Sequence, residues 1–227
     1  MKISHYIKST PAFLAVTGPY IAPELFLELY FELDQEDADT LLRHVMLNNT
    51  PFAFKDKPLI FEKIKEYLSD ALSLQYHEIL LIGSAKTGYS FAPNSYGRAF
   101  SGRSDFDFTI ISQSLFERLK DDFVYWKKKY QTEKSVLPRT EREKKYWDDN
   151  IVNVSATCNR GFIDTYKLPN RDCCGTAKKV NDALYNVMFR LNQVADIKNS
   201  KASARVYRDN EAFARQLRLN TSRLVVL

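Results

Sequence analysis

The apolar positions of the chain switch between helical and strand periods. From Pro23 to Leu33, and again from Gln35 to Leu47, hydrophobic residues recur at three- and four-residue steps, and Asp34 stands between the two runs as an N-cap. The clearest amphipathic run is 59–74. Its stripe of Ile60, Ile64, Tyr67, Leu68, Ala71 and Leu72 predicts a helix with one buried face. Pro58 falls at its first turn, where a missing N–H removes no hydrogen bond. Residues 78–82 form a short apolar run ending at Gly83, the pattern of a buried strand. The stretch 91–103 is rich in Pro, Asn, Gly and Ser and reads as a loop.

A second strand is expected over 105–112 and a helix over 113–130, with Leu115, Phe116, Leu119, Phe123 and Trp126 on one face. Residues 135–150 are polar and basic, the composition of a mobile loop or a short helix. Strands are expected at 151–156 and 162–166 around a turn at Asn159-Arg160-Gly161. A helix over 177–194, a strand over 202–207 and a helix over 209–219 capped by Asp209 complete the order. Strands and helices are mixed rather than strictly alternating, which predicts an α/β (α+β) fold around one small sheet. The organisation expected is an N-terminal helical segment (1–57), a core (58–170) and a helix-strand-helix (171–227) that completes the same domain.

Composition narrows the class. With 44% hydrophobic and 27% charged residues, the 227-residue chain can bury a real core. No apolar run reaches the roughly 20 residues needed to cross a bilayer, and the N-terminal apolar patch is broken by Pro11 and Gly18, so a cytoplasmic protein without membrane contact is expected. Three cysteines, two of them adjacent, do not make a disulfide framework, and no histidine lies at zinc-ligand spacing from them. The net charge is +5, and it is concentrated: Lys201, Arg205, Arg208, Arg215, Arg218 and Arg223 stand against only Asp209 and Glu211 in the final stretch. Such a stretch suits either a solvated helix face or phosphates of a nucleotide or nucleic acid.

The candidate chemistry lies in two places. Alternation along the 105–112 strand puts Asp105, Asp107 and Thr109 on one face and Phe106, Phe108 and Ile110 on the other. Two carboxylates so close disfavour each other's ionisation unless a cation lies between them. Mg²⁺ is the natural candidate, because it takes one or two carboxylates together with substrate phosphates. Upstream, Gly83-Ser84 follows an apolar strand and opens a helical turn. Its backbone N–H groups and the Ser84 hydroxyl suit a phosphate, with Lys86 adding charge. The same stretch, GSAKTGYS, nearly fits a P-loop, but Tyr89 stands where the lysine is required.

The order Ile82-Gly83-Ser84, loop, Asp105-Phe106-Asp107-Phe108 resembles the nucleotidyltransferase superfamily whose best-known branch is DNA polymerase β. The resemblance is close over about 35 residues. It implies a small mixed sheet flanked by helices, Mg²⁺ at Asp105 and Asp107, and the triphosphate of an NTP or dNTP at Gly83 and Ser84. It also implies transfer of a nucleoside monophosphate to a hydroxyl acceptor. A nucleic-acid or oligonucleotide 3′ end is favoured as acceptor by the basic C-terminal stretch. Protein nucleotidylation, including self-modification on Ser, Thr or Tyr, transfer to a second nucleotide to give a cyclic or linear signal, and a catalytically inactive nucleotide- or RNA-binding module are the alternatives. The family carries a third carboxylate on a later strand, for which Asp164 is the first choice and Asp196 and Asp209 are the others. The loop between Ser84 and Asp105 is long for the family, and it brings Arg98 and Arg103 beside the site as phosphate contacts or a lid. The longer segment through Ser112 also looks like stand-alone bacterial nucleotidyltransferases. Some of that general kind act in antiviral defence or toxin systems, which implies a protein partner in such a pair.

Overall fold

The computed structural model describes residues 6–7, 10–194 and 201–226. It is a mixed α+β fold in which helices flank one small four-stranded mixed sheet. The strands are β1 (Ile79–Ile82), β2 (Phe106–Ile111), β3 (Phe162–Asp164) and β4 (Ala202–Tyr207), in the spatial order β1-β2-β4-β3. β1 runs antiparallel to β2, β2 parallel to β4, and β3 antiparallel to β4. Among the described residues no helix is long and apolar enough to cross a membrane.

One face of the sheet is apolar without interruption. Phe106, Phe108 and Ile110 of β2 lie beside Ile79, Leu81, Ala204, Val206 and Ile163, all buried in one cluster. The cover comes from α4 (Pro58–Leu72), α6 (Gln113–Lys127), α7 (Glu141–Asn159) and α8 (Gly175–Val194). Phe106 stacks on Phe54 at 5.5 Å between ring centroids, and Trp126 meets Trp147 edge-on at 5.6 Å. Each fully buried phenylalanine here contributes about 2–3 kcal/mol of burial free energy. That anchorage fixes the register of β2, and a one-residue slip would carry its aspartates into this core.

The other face is divided. One part lies under a second cluster, in which α1 (Pro11–Leu14), α2 (Pro23–Glu32), α3 (Gln35–Leu47) and α9 (Asn210–Thr221) bring Ala12, Phe26, Leu42, Met46 and Phe213 together with Phe162 and Tyr207. The remainder is an open cleft. The expected caps are present: Asp34 accepts from the Asp37 N–H at 2.9 Å, and Asp209 accepts from the Ala212 N–H at 2.7 Å. Pro58 opens α4 as its sequence predicts.

Two expectations are corrected. The strand expected at 151–156 is instead the C-terminal half of α7. Ile and Val in IVNVSA satisfy both periods locally, but the buried set Trp147, Asn150, Ile151, Val154 and Thr157 has helical spacing, and Val152 falls outside it at 70% exposure. The polar run 135–150 is correspondingly half helix, with Thr140 as its N-cap accepting from the Glu143 N–H at 3.1 Å. The loop after the Gly-Ser turn is also more ordered than its composition predicts. Tyr89 bridges Ala99, Ser90 and Arg98 are joined by a backbone hydrogen bond of 2.9 Å, and the Tyr96 hydroxyl donates to the Pro23 carbonyl at 2.7 Å. These contacts tie the excursion to α2 as a hairpin-like arm rather than a loose lid.

Candidate active site

The cleft on the divided face has a volume of about 570 Å³ and is lined by Gly83, Ser84, Arg103, Asp105, Asp107 and Asp164 together. Its floor is set by strand register. Ile82 is paired with Asp107 across β1–β2, and Asp107 with Ser203 across β2–β4. The end of β1 therefore delivers the Gly83 turn directly beside Asp107. Gly83 has φ +68° and ψ −155°, a region essentially reserved for glycine. A methyl group there would stand 3.2 Å from Asp107 Oδ2. The bare Cα thus keeps the space beside that carboxylate oxygen open. After it, Ser84–Thr87 form the single-turn helix α5. The Lys86 and Thr87 N–H groups are spent on the Gly83 carbonyl, at 2.9 and 3.2 Å. Those of Ser84 and Ala85 open the turn, where helix geometry gives them no intrahelical acceptor.

Asp105 and Asp107 both reach solvent through the cleft. The Ser203 hydroxyl donates to Asp107 Oδ1 at 2.9 Å. The Asp107 carboxyl titrates above the usual carboxylate range, chiefly because protein encloses it on most sides despite its open mouth. Ser203 acts in the opposite sense, Asp105 adds repulsion, Arg205 offsets part of it, and Asp164 raises it further. A carboxylate in this state gains from a cation.

Asp164, expected as the third carboxylate, lines the cleft but is already neutralised. Arg205, its cross-strand neighbour on β4, donates from Nε to Oδ1 at 2.6 Å and from its terminal nitrogen to Oδ2 at 3.2 Å. Lys167 Nζ lies 3.2 Å from Oδ2. Burial works against the charge of Arg205, but the Asp164 hydrogen bonds and charge outweigh it and hold the guanidinium protonated. Arg205 also lies over the Phe162 ring at 4.5 Å. The alternatives do not replace Asp164: Asp209 is committed to capping α9 and to Arg208, and Asp196 lies outside the described residues.

Lys86 is a further correction. It does not line the cleft but is buried behind the turn, where Nζ donates to the carbonyls of Asn48 and of Asn49, the latter at 2.6 Å. These carbonyls close the C-terminus of α3, so the lysine joins the turn to that helix end. Burial, with Lys65 adding to it, lowers its pKa to about 8. With Lys86 pointing away and Tyr89 buried, the P-loop alternative has no cation at its required place.

The basic C-terminal stretch is largely consumed by internal pairs. Arg205 holds Asp164, Arg208 holds Asp209, Arg215 holds Glu211, and Arg218 reaches Asp39. Arg223 instead lines the cleft, as do Arg98 and Arg103 of the arm. Thr109, Ser203 and Tyr166 also line it and were not singled out by motif. The signal for Ser203 and Arg205 was there in the alternation of ASARVY, whose polar positions share the sheet face of Asp105 and Asp107.

A divalent cation fits only part of what the sequence led us to expect. Asp105 and Asp107 supply hard oxygen donors, with Asp107 Oδ2 facing the gap left by Gly83. Such a pair, completed by phosphate oxygens, is a magnesium pattern. A three-carboxylate centre does not fit: among the described residues no three His, Cys, Asp or Glu side chains converge as a metal-binding set. No protein-family model, no curated protein and no solved structure matches this chain, so the two aspartates, the turn and the arginines of the cleft carry the functional reading by themselves.

Proposed function

We propose that the protein is a magnesium-dependent nucleotidyltransferase that moves a nucleoside monophosphate from an NTP or dNTP to a hydroxyl acceptor, with a nucleic-acid or oligonucleotide 3′ end favoured. The observation that carries this reading is the convergence of the Gly83-Ser84 turn with Asp105 and Asp107 in one cleft, through the Ile82–Asp107 register. Asp105 and Asp107 would hold the magnesium ion, which when bound supplies charge neutralisation at the phosphate oxygens. The open N–H groups of the turn and the Ser84 hydroxyl donate to the β- and γ-phosphates. The acceptor hydroxyl forms a bond to the α-phosphorus, the bond from that phosphorus to the bridging oxygen breaks, and pyrophosphate leaves. The hydroxyl proton passes to water in the open cleft. Catalysis of this kind rests on positioning and electrostatics rather than on a covalent intermediate. Asp164 in this reading orients Arg205 and does not touch the reacting atoms. A cytoplasmic setting agrees with the unpaired thiols of Cys158, Cys173 and Cys174.

A second reading is favoured by one observation, the clamping of Asp164. Without a third free acid the same cleft would serve as a nucleotide- or RNA-binding module. Incubation with labelled NTPs and dNTPs, with and without Mg²⁺, tests both, with pyrophosphate measured and the label separated into nucleic acid, protein and small molecules. Mg²⁺-dependent pyrophosphate release supports the enzyme. Nucleotide binding without release supports the module, and absence of nucleotide binding removes the enzyme and the nucleotide-binding form of the module.

A further inference from the structure

The cleft holds more positive charge than a nucleotide at the Gly-Ser turn accounts for. Arg98, on the arm, and Arg223, just past α9, both line it and both are exposed, and among the described residues no acidic side chain forms an ion pair with either. Their situation contrasts with that of Arg205, Arg208, Arg215 and Arg218, each matched to an acid. A further polar group in the same cleft lacks a partner. Thr109 lies two residues beyond Asp107 on the same face of β2, is fully buried, and among the described residues its Oγ1 has no hydrogen-bond partner. A buried hydroxyl without a partner costs about 1–3 kcal/mol, and a ligand oxygen that meets it recovers that cost.

We propose that Arg98, Arg223 and Thr109 form an anion subsite for the acceptor, taking the phosphodiester of a nucleotide strand next to its reacting 3′ end. This rests on the nucleotidyltransferase reading and deepens it by assigning the acceptor class. The turn and the Asp105–Asp107 pair serve the donor polyphosphate, leaving these two guanidinium groups to a second, separate anion. Guanidinium forks match phosphate oxygens in geometry and remain charged at all working pH values. A protein hydroxyl acceptor brings no such charge, and a cleft built for one would have no use for these two arginines.

The test measures binding of two dinucleotides by calorimetry, in the presence of a saturating non-hydrolysable NTP analogue and Mg²⁺. One dinucleotide carries its natural phosphodiester and the other an uncharged methylphosphonate linkage. The charged form is expected to bind at least about tenfold more tightly. R98A and R223A should each remove about tenfold from the charged form and leave the uncharged form and the analogue unchanged. T109V, which keeps the shape of the side chain, should weaken the charged form several-fold. Equal binding of the two dinucleotides overturns the subsite, as does competition between the dinucleotide and the analogue, which would assign the arginines to the donor. If the analogue fails to bind while the dinucleotides are still discriminated by charge, the nucleotidyltransferase reading falls and the anion subsite stands. If the analogue binds and label accumulates on protein rather than on the strand, the acceptor assignment falls and the reading stands.

Discussion

The two sides of the cleft use the same residue types to opposite ends. On the β1–β2 side, Asp105 and Asp107 are exposed to the cavity, and Asp107, met among the described residues by the Ser203 hydroxyl, is held above its ordinary titration range. On the β3–β4 side, Asp164 is sealed by Arg205 and Lys167. The cations divide in the same way: Arg98 and Arg223 face the cavity, whereas Lys86 is locked onto the end of α3. A sealed pair satisfies its own charge and contributes to holding the fold. An open group keeps its charge available to a ligand. The residue type therefore does not identify the functional side chains; their partners do.

The sharpest way to break that contrast is Asp107→Asn. We expect Mg²⁺-dependent pyrophosphate release to fall by about a thousandfold or more, as for loss of a group that positions and neutralises the transferred phosphoryl. Circular dichroism and the thermal transition should be nearly unchanged, because the carboxylate supports no buried partner. Retained activity would remove it from the mechanism. Asp164→Leu should do the reverse: about 2–3 kcal/mol of stability is lost in urea denaturation because Arg205 is left without its counter-ion. Arg205→Met in the same chain should restore most of the loss. If Asp164→Leu instead abolishes transfer in a protein that is still folded, Asp164 belongs to the reacting side of the cleft and the division falls.

Gly83→Ala tests whether the turn tolerates crowding of the cleft. The backbone region is one that L-residues rarely adopt, and the new methyl meets Asp107 Oδ2 at 3.2 Å. We expect a cost of about 2 kcal/mol together with weakened nucleotide binding. Lys86 gives a smaller effect with a definite sign. Burial lowers its folded pKa to about 8, below the ordinary lysine value of 10.5. The unfolded chain therefore binds more protons between these values, and stability rises with pH across the window, by about 1 kcal/mol between pH 8 and 9. Lys86→Met should flatten that rise. For Asp107 the sign is opposite. Its folded pKa is raised, so the folded chain binds more protons just above the ordinary aspartate range, and its contribution to stability falls as pH rises through that interval. Side-chain NMR titration of the cation-free protein checks the direction, and a midpoint at or below the ordinary value would contradict it.

Much of the frame could be read from local pattern. The stripes of α2, α3, α4 and α6, the caps at Asp34 and Asp209, and the alternation that turns Asp105 and Asp107 away from Phe106 and Phe108 all follow from residues a few positions apart. Where the reading failed, local pattern was ambiguous. IVNVSA fits both periods, and only the burial of Trp147 against Trp126 and Tyr130 decides for a helix. The arm at 89–100 has loop composition, but aromatic packing of Phe91 on Phe26 and the Tyr96–Pro23 hydrogen bond order it.

The chain's own order of residues determined that an apolar strand would end in a glycine-serine bend and that two acids would share one strand face, since both are properties of neighbouring positions. Tertiary structure alone decided that Arg205 would close over Asp164 from 41 residues away, that Lys86 would turn from the cleft to α3, and that Arg98 and Arg223 would line one cavity. The reason is that charge partners are chosen by strand order and helix packing. Sequence separation carries no information about which arginine reaches which acid until the sheet has placed them side by side.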